Sequence, residues 1–78
     1  MSPHAPKLPQ VTASELLRAL KRASWYEVRQ SGSHLRLRHD ERPEDLTISM
    51  YGAAIPTGTL RAILEQAGLS PTQFLELL

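Results

Sequence analysis

Residues 29–38 read Arg29-Gln30-Ser31-Gly32-Ser33-His34-Leu35-Arg36-Leu37-Arg38, and they decide the fold of this chain. Polar and apolar residues alternate strictly from His34 to Arg38, which is typical of a strand with one exposed and one buried face. The two leucines are predicted to face the core, whereas His34, Arg36 and Arg38 face solvent. The small residues 31–33 predict a turn, so an earlier strand should pair with this one as a hairpin.

The exposed face of this strand combines one imidazole with two permanent cations. Histidine titrates near neutral pH and can move protons, and arginine binds phosphate. The combination suits a phosphodiester substrate, with His34 as the catalytic candidate. The alternative is that these residues are only the polar face of a half-buried strand, since most exposed histidines do no chemistry.

A first helix precedes the hairpin. The sequence Thr12-Ala13-Ser14-Glu15 fits a capping box, which predicts that the helix begins at Thr12. Its predicted buried face, at helical spacing, consists of Leu16, Leu17, Leu20 and Ala23. Three cations lie off this face: Arg18, Lys21 and Arg22. They could bind a phosphate backbone, or they could be a solvated group near a helix C-terminus, where cations are favoured.

Two further strands complete the predicted sheet. The aromatic and β-branched residues of 25–29 predict a first strand, with Tyr26 and Val28 inward and Glu27 and Arg29 outward. Residues 40–45 are charged, contain a proline and are predicted to be a loop. Residues 46–51 alternate again and predict a third strand. Its expected inward residues are Leu46, Ile48 and Met50, and its expected outward residues, on the face of His34, are Thr47, Ser49 and Tyr51.

Two helices follow the sheet. The first should open at Thr57 or Gly58 and end at Gly68, and its apolar positions are Leu60, Ile63, Leu64 and Ala67. Residues 70–73 provide an N-cap serine, a proline at the first helical position and a glutamine at the third, which predicts a short last helix. Each leucine-rich face needs cover. We therefore expect an α+β fold: a two-layer α-β-β-β-α sandwich with a three-stranded antiparallel sheet, helices on one face and a short C-terminal helix.

Length and composition limit the possible functions. Seventy-eight residues make one small domain, predicted over residues 12–78. Residues 1–11 hold three of the six prolines and are predicted to be a loosely ordered N-terminal lead-in. The absence of cysteine excludes disulfides and thiolate chemistry. No metal or other cofactor is expected, because the acidic residues sit together only in a charged loop. The start of the chain has no apolar run, so we expect a cytoplasmic protein with no membrane association.

The charge is distributed unevenly. Up to His39 there are seven basic and two acidic residues, a net charge of +5, and from Asp40 onward two basic and six acidic residues give −4. A basic half can contact nucleic acid while the acidic half faces elsewhere. The alternative is that such a bipolar arrangement arises by chance in a small protein.

Three segments resemble the HicA toxins, also called YcfA-like proteins: Val28-Arg29-Gln30-Ser31-Gly32-Ser33-His34, residues 58–70 and Phe74. The similarity covers about residue 8 to the end of the chain. It implies a fold like that of double-stranded-RNA-binding domains, and the activity of a ribosome-independent mRNA endonuclease that is the toxin of a type II toxin–antitoxin pair. The implied partners are single-stranded mRNA and a HicB-like antitoxin, which would form a hetero-oligomer with the toxin. The family's catalytic histidine lies in its Gly-Ser-His step, here His34.

The chain departs from the family pattern in two places. Ser24-Trp25 stands where the family usually has Gly-Phe, and the third strand lacks the Val-Pro-x-His of the family, ending instead at Tyr51. The missing second histidine leaves open a non-catalytic RNA-binding or regulatory module, and the basic face could also dock an acidic antitoxin. The residues predicted to contact RNA are Lys21, Arg22, Arg29, Ser33, Arg36, Arg38 and Tyr51.

Overall fold

The chain folds in the order that the sequence predicts. In a computed structural model, which describes residues 7–50, 52 and 54–78, three helices and three strands follow one another. They are α1 (Ala13–Arg22), β1 (Tyr26–Ser31), β2 (His34–Arg38), β3 (Leu46–Ser49), α2 (Thr57–Ala67) and α3 (Pro71–Leu77). The strands form an antiparallel sheet in the order β1-β2-β3, which confirms the predicted α+β fold.

Reciprocal capping boxes begin the first and last helices, as predicted. The Glu15 backbone N–H donates to Thr12 Oγ1 at 3.2 Å, and the Thr12 N–H donates to Glu15 Oε1 at 2.9 Å. At α3 the Gln73 N–H donates to Ser70 Oγ at 3.1 Å, and the Ser70 N–H donates to Gln73 Oε1 at 2.8 Å. Each box satisfies two backbone donors that would otherwise lack partners.

The second helix ends at Gly68, also as predicted. Gly68 adopts a left-handed conformation with φ of 73°, and the N–H of Leu69 donates to the Leu64 carbonyl at 2.9 Å. The guanidinium of Arg42, from the loop before β3, covers this helix end and donates to the Gln66 carbonyl at 3.2 Å. A side chain at position 68 would meet Arg42 Nη1 at 2.7 Å, a contact that the flexible Arg42 side chain can relieve, so it is the left-handed backbone that favours glycine here.

One buried cluster joins the sheet to the helices. Leu35 and Leu37 of β2 and Leu46 and Ile48 of β3 are all at most 3% exposed. They pack with the apolar faces of all three helices, including Leu16, Leu20, Leu60, Leu64 and Phe74. The predicted inward faces of β2 and β3 are therefore confirmed, and the opposite face of the sheet stays open to solvent.

The predicted orientation of β1 is wrong for three residues. Tyr26 pairs with outward Arg38 and is 41% exposed, whereas Glu27 pairs with inward Leu37 on the side of the helices. A bulge then inserts Val28, which is 38% exposed, before Arg29 resumes pairing. The larger and more apolar Trp25 is only 2% exposed, and because neighbouring side chains alternate, its burial turns Tyr26 outward.

The ends of β1 and β3 also differ from the prediction. β1 begins one residue later and continues to Ser31, and β3 ends at Ser49. Tyr51 lies outside the described residues. Within the predicted lead-in, Val11 is 3% exposed and its carbonyl accepts from the Ile55 N–H at 2.8 Å, so the last residue of that segment contributes to the core. Among the described residues, no helix is both long and apolar enough to cross a membrane.

Candidate active site on the open face of the sheet

The open face of the sheet gathers polar side chains from all three strands. His34 pairs with Ser31 of β1 and with Ser49 of β3, and Arg36 pairs with Arg29 and with Thr47. Residues paired across antiparallel strands project to the same side. Because Leu35 and Leu37 point into the core, the six residues of these two rows lie together on the solvent side of the sheet.

A shallow cavity of about 210 Å³ lies at one end of this face. Its lining consists of Arg29, Ser31, His34, Arg36 and Thr47. His34 is exposed, and among the described residues no carboxylate pairs with Arg29. The cavity therefore brings together an accessible imidazole, two guanidinium groups and two hydroxyls, which is the donor set that a phosphate group prefers.

The turn before β2 positions His34. Gly32 has a φ of 58°, whereas Ser33 lies outside the positive-φ region, which is the pattern of a type II′ hairpin turn. The Ser33 carbonyl accepts from the Met50 N–H at 2.6 Å and ties the turn to the end of β3. Ser33 does not line the cavity, so its predicted RNA contact stays a prediction.

The Asp45 carboxylate neutralises the arginines of β2 to different extents. Asp45 accepts from Arg38 Nε at 3.0 Å and from Nη2 at 3.1 Å, and it lies 4.0 Å from Arg36 Nε. The hydrogen bonds from Arg38 lower the pKa of the Asp45 carboxyl, and the same contact raises the pKa of Arg38. Arg38 is thus on the face of His34 but is already bound to a carboxylate, whereas Arg36 is only partly neutralised.

The two predicted RNA contacts of α1 lie elsewhere. Lys21 forms an ion pair with Glu27 on the helical side of the sheet, and Arg22 Nη1 donates to the Leu77 carbonyl at 2.8 Å. Neither lines the cavity. Their interaction with RNA stays a prediction, as does that of Tyr51, which lies outside the described residues.

The second histidine of the described chain has a structural position. His39 Nδ1 accepts from the Glu41 N–H at 3.0 Å, so Nε2 carries the proton and donates to the Ala23 carbonyl, also at 3.0 Å. Its ring also meets Trp25 edge to face, with centroids 5.3 Å apart. Both nitrogens are engaged, and His39 therefore braces the loop after β2 against the end of α1.

Sequence reasoning missed Tyr26 as a member of the open face. Its hydroxyl donates to Asp40 Oδ1 at 2.8 Å, and this hydrogen bond raises the pKa of the phenol. A signal was present in the pair Trp25-Tyr26, because adjacent strand residues face opposite sides and only one of two aromatics can enter the core.

Fold and face together define a small α+β sandwich whose open sheet carries a histidine among arginines. The profile of the family described as HicA toxin of bacterial toxin–antitoxin matches residues 13–69, and the chain belongs to this family. The match includes His34 and the cavity around it. Membership implies an antitoxin partner. A comparison with curated proteins finds no match.

Proposed function

We propose that this protein is a toxin that cleaves single-stranded mRNA independently of the ribosome, with His34 as a general acid or base. The observation that carries the proposal is the cavity in which the exposed His34 lies with Arg29 and Arg36. Membership of the HicA toxin family supports the same conclusion. Action on mRNA would place the protein in the cytoplasm.

RNA cleavage without a cofactor uses the 2′-hydroxyl of the substrate. That hydroxyl loses its proton and attacks the adjacent phosphorus, and the 5′-oxygen of the next nucleotide leaves with a proton. An imidazole near neutral pH can take the first proton or give the second, and such a group contributes roughly 10²–10⁴-fold to the rate. His34 is the group in the cavity suited to this role.

The arginines would stabilise the charge that develops on the phosphate. Arg29 and Arg36 face each other across β1 and β2, so a phosphodiester in the cavity can contact both guanidinium groups. Donors that are fixed before the reaction need little reorganisation as charge builds up. Ser31 and Thr47 can add hydroxyl hydrogen bonds at the same place.

The antitoxin is proposed to be HicB-like and to bind this face. An acidic segment that covers His34 would use the same arginines as RNA does, and inhibition would follow from direct competition. Binding of antitoxin and of RNA should therefore exclude each other.

A second candidate is an RNA-binding or regulatory module that does not cut. The position of His39 favours this candidate. Both of its ring nitrogens bond backbone groups away from the cavity, so among the described residues His34 is the one histidine in the cavity, and no second imidazole there can serve as its proton-transfer partner. This module would bind RNA in a salt-dependent manner, without cleavage and without a growth defect.

Cleavage of labelled single-stranded RNA by purified protein tests the proposal. The wild type should cut, the His34→Ala variant should lose on the order of 10²-fold or more in rate, and Arg36→Ala should lose activity as well. Arg61→Ala is the matched control, since Arg61 lies exposed on α2 in the other layer. A substrate with a 2′-deoxy nucleotide at the cut position should resist cleavage. Equal cleavage by wild type and His34→Ala would remove His34 from the mechanism.

Induction in a bacterial host tests the biological role. Wild type should arrest growth and degrade mRNA, and His34→Ala should do neither although it accumulates to the same level. Arrest by both proteins would contradict the proposed mechanism, and arrest by neither would favour the non-cutting module.

A further inference from the structure

The open face has an aromatic end as well as a cationic one. Tyr26 stands opposite Arg38 at the far end of the hairpin from His34, and it is 41% exposed. The aromatic rings of Trp25 and Phe74 are buried, so Tyr26 is the exposed ring that the described residues present. Burial of the neighbouring Trp25 turns this ring to the open face of the sheet.

Local contacts hold the Tyr26 ring in one position. Its hydroxyl donates to Asp40 at 2.8 Å, and its neighbour Arg38 is fixed by two hydrogen bonds to Asp45 at 3.0 and 3.1 Å. The hydrogen bond to Asp40 raises the pKa of the phenol, so the ring is neutral at physiological pH. A fixed ring loses little conformational entropy when a flat ligand stacks on it.

The separation between the two ends suits an extended nucleic acid. His34 and Arg38 are four residues apart on β2, which corresponds to about 13 Å at roughly 3.3 Å per residue. Phosphates are attracted to the cavity, where Arg29 and Arg36 lie. At the other end Arg38 is already paired with Asp45, and a ring that stacks on a base needs no net charge.

We infer that Tyr26 forms a base-stacking subsite for the single-stranded RNA that enters the cavity at His34, a few nucleotides from the phosphate held there. The inference rests on the proposed function, because it assumes that RNA is the ligand of this face. Every base has a π-face, so the subsite increases affinity with little sequence preference.

Binding of RNA of two lengths tests the subsite. In a His34→Ala background, a labelled 2′-O-methyl hexanucleotide and a dinucleotide of the same base are compared. Replacing Tyr26 by Ala should weaken binding of the hexanucleotide roughly 5- to 150-fold, the loss typical of one stacked base, and change binding of the dinucleotide little. Tyr26→Phe keeps the ring and should retain most of the affinity, whereas Tyr26→Leu should behave as Tyr26→Ala does.

Controls separate stacking from stability. Leu78→Ala removes a side chain that is 44% exposed at the end of α3, and it should bind both oligonucleotides as the parent does. If Tyr26→Ala melts below the assay temperature, the comparison of Tyr26→Phe with Tyr26→Leu carries the test.

The outcomes also separate this subsite from the nuclease proposal. The subsite is overturned if the parent, Tyr26→Ala and Tyr26→Leu bind the hexanucleotide equally well. It is also overturned if the substitutions weaken binding of the hexanucleotide and of the dinucleotide by the same factor. A protein that binds the hexanucleotide through Tyr26 but does not cut RNA supports the subsite and contradicts the nuclease. A protein that cuts RNA equally well with Leu at position 26 contradicts the subsite alone.

Discussion

Replacing Asp45 by Asn should make RNA binding both tighter and more sensitive to salt. Asp45 holds Arg38 with two hydrogen bonds of 3.0 and 3.1 Å, so that guanidinium is already neutralised before RNA arrives. Arg29 and Arg36 remain to contact phosphate. For single strands the slope of log affinity against log salt is about −0.7 per phosphate contact, which gives about −1.4 for two arginines.

The substitution removes the carboxylate and makes Arg38 the third available cation. The slope should then steepen to about −2.1, so that a fourfold rise in salt weakens binding about 18-fold instead of about 7-fold. Fluorescence anisotropy with a labelled oligonucleotide, between 50 and 200 mM salt in a His34→Ala background, measures both slopes. At the low-salt end the Asp45→Asn variant should bind more tightly than its parent.

Glu44→Gln is the matched control for the change in net charge. Glu44 is exposed in the same loop, and among the described residues no ion pair links it to the arginines of the open face. Its slope should stay near that of the parent. Equal slopes in the parent and in Asp45→Asn would refute the reasoning that Asp45 keeps Arg38 from RNA.

Three other predictions concern the stability of the fold. Gly68→Ala should lower the free energy of unfolding by about 1–2 kcal/mol in urea, because a side chain is strained at φ of 73° and meets Arg42. Leu37→Ala, at a fully buried position of the central strand, should cost about 2–5 kcal/mol in the same assay, whereas Thr47→Ala on the open face should cost far less. Lowering the pH below 3.8, the ordinary pKa of an aspartate, should reduce the thermal midpoint. The pKa of Asp45 is lower in the folded protein than in the unfolded chain, so the ionised carboxylate stabilises the fold above the unfolded-state pKa. This stabilisation is lost as the pH falls through the folded-state pKa. That loss on acidification should be smaller in Asp45→Asn.

The parts of the fold that depend on local sequence are predictable. Thr12 with Glu15, and Ser70 with Gln73, begin helices through bonds that span three residues. Gly68 ends α2 through its own backbone. The alternation of β2 likewise depends on burial of every second residue, and it places His34, Arg36 and Arg38 on one face.

The parts that depend on distant partners are not predictable in this way. Arg38 looks equivalent to Arg36 in the sequence. They differ because the loop after β2 places Asp45 where it forms two hydrogen bonds with Arg38 and only a longer contact with Arg36. Lys21 is likewise engaged by Glu27 from another element. Charge composition therefore indicates how many cations a protein has, whereas the tertiary structure decides which of them are available to RNA.

The bulge at Val28 is the feature that places Tyr26 and Arg29 on the same face. Without it, residues three apart in a strand would point to opposite sides. Deletion of Val28 should leave a regular strand in which Tyr26 still pairs with Arg38, and Arg29 with Arg36.

Deletion of Gln30 shortens the same strand by one residue but has a different effect. With Tyr26 and Ser31 kept in register and the bulge removed, Val28 would pair with Arg36, and Arg29 would turn to the helical side. The salt slope of RNA binding should therefore become shallower by about 0.7 in this variant and stay unchanged on deletion of Val28. Thermal unfolding of both proteins checks that each is folded. If instead the Val28 deletion lost the phosphate contact and the Gln30 deletion kept it, the bulge would not be what directs Arg29 to the cavity.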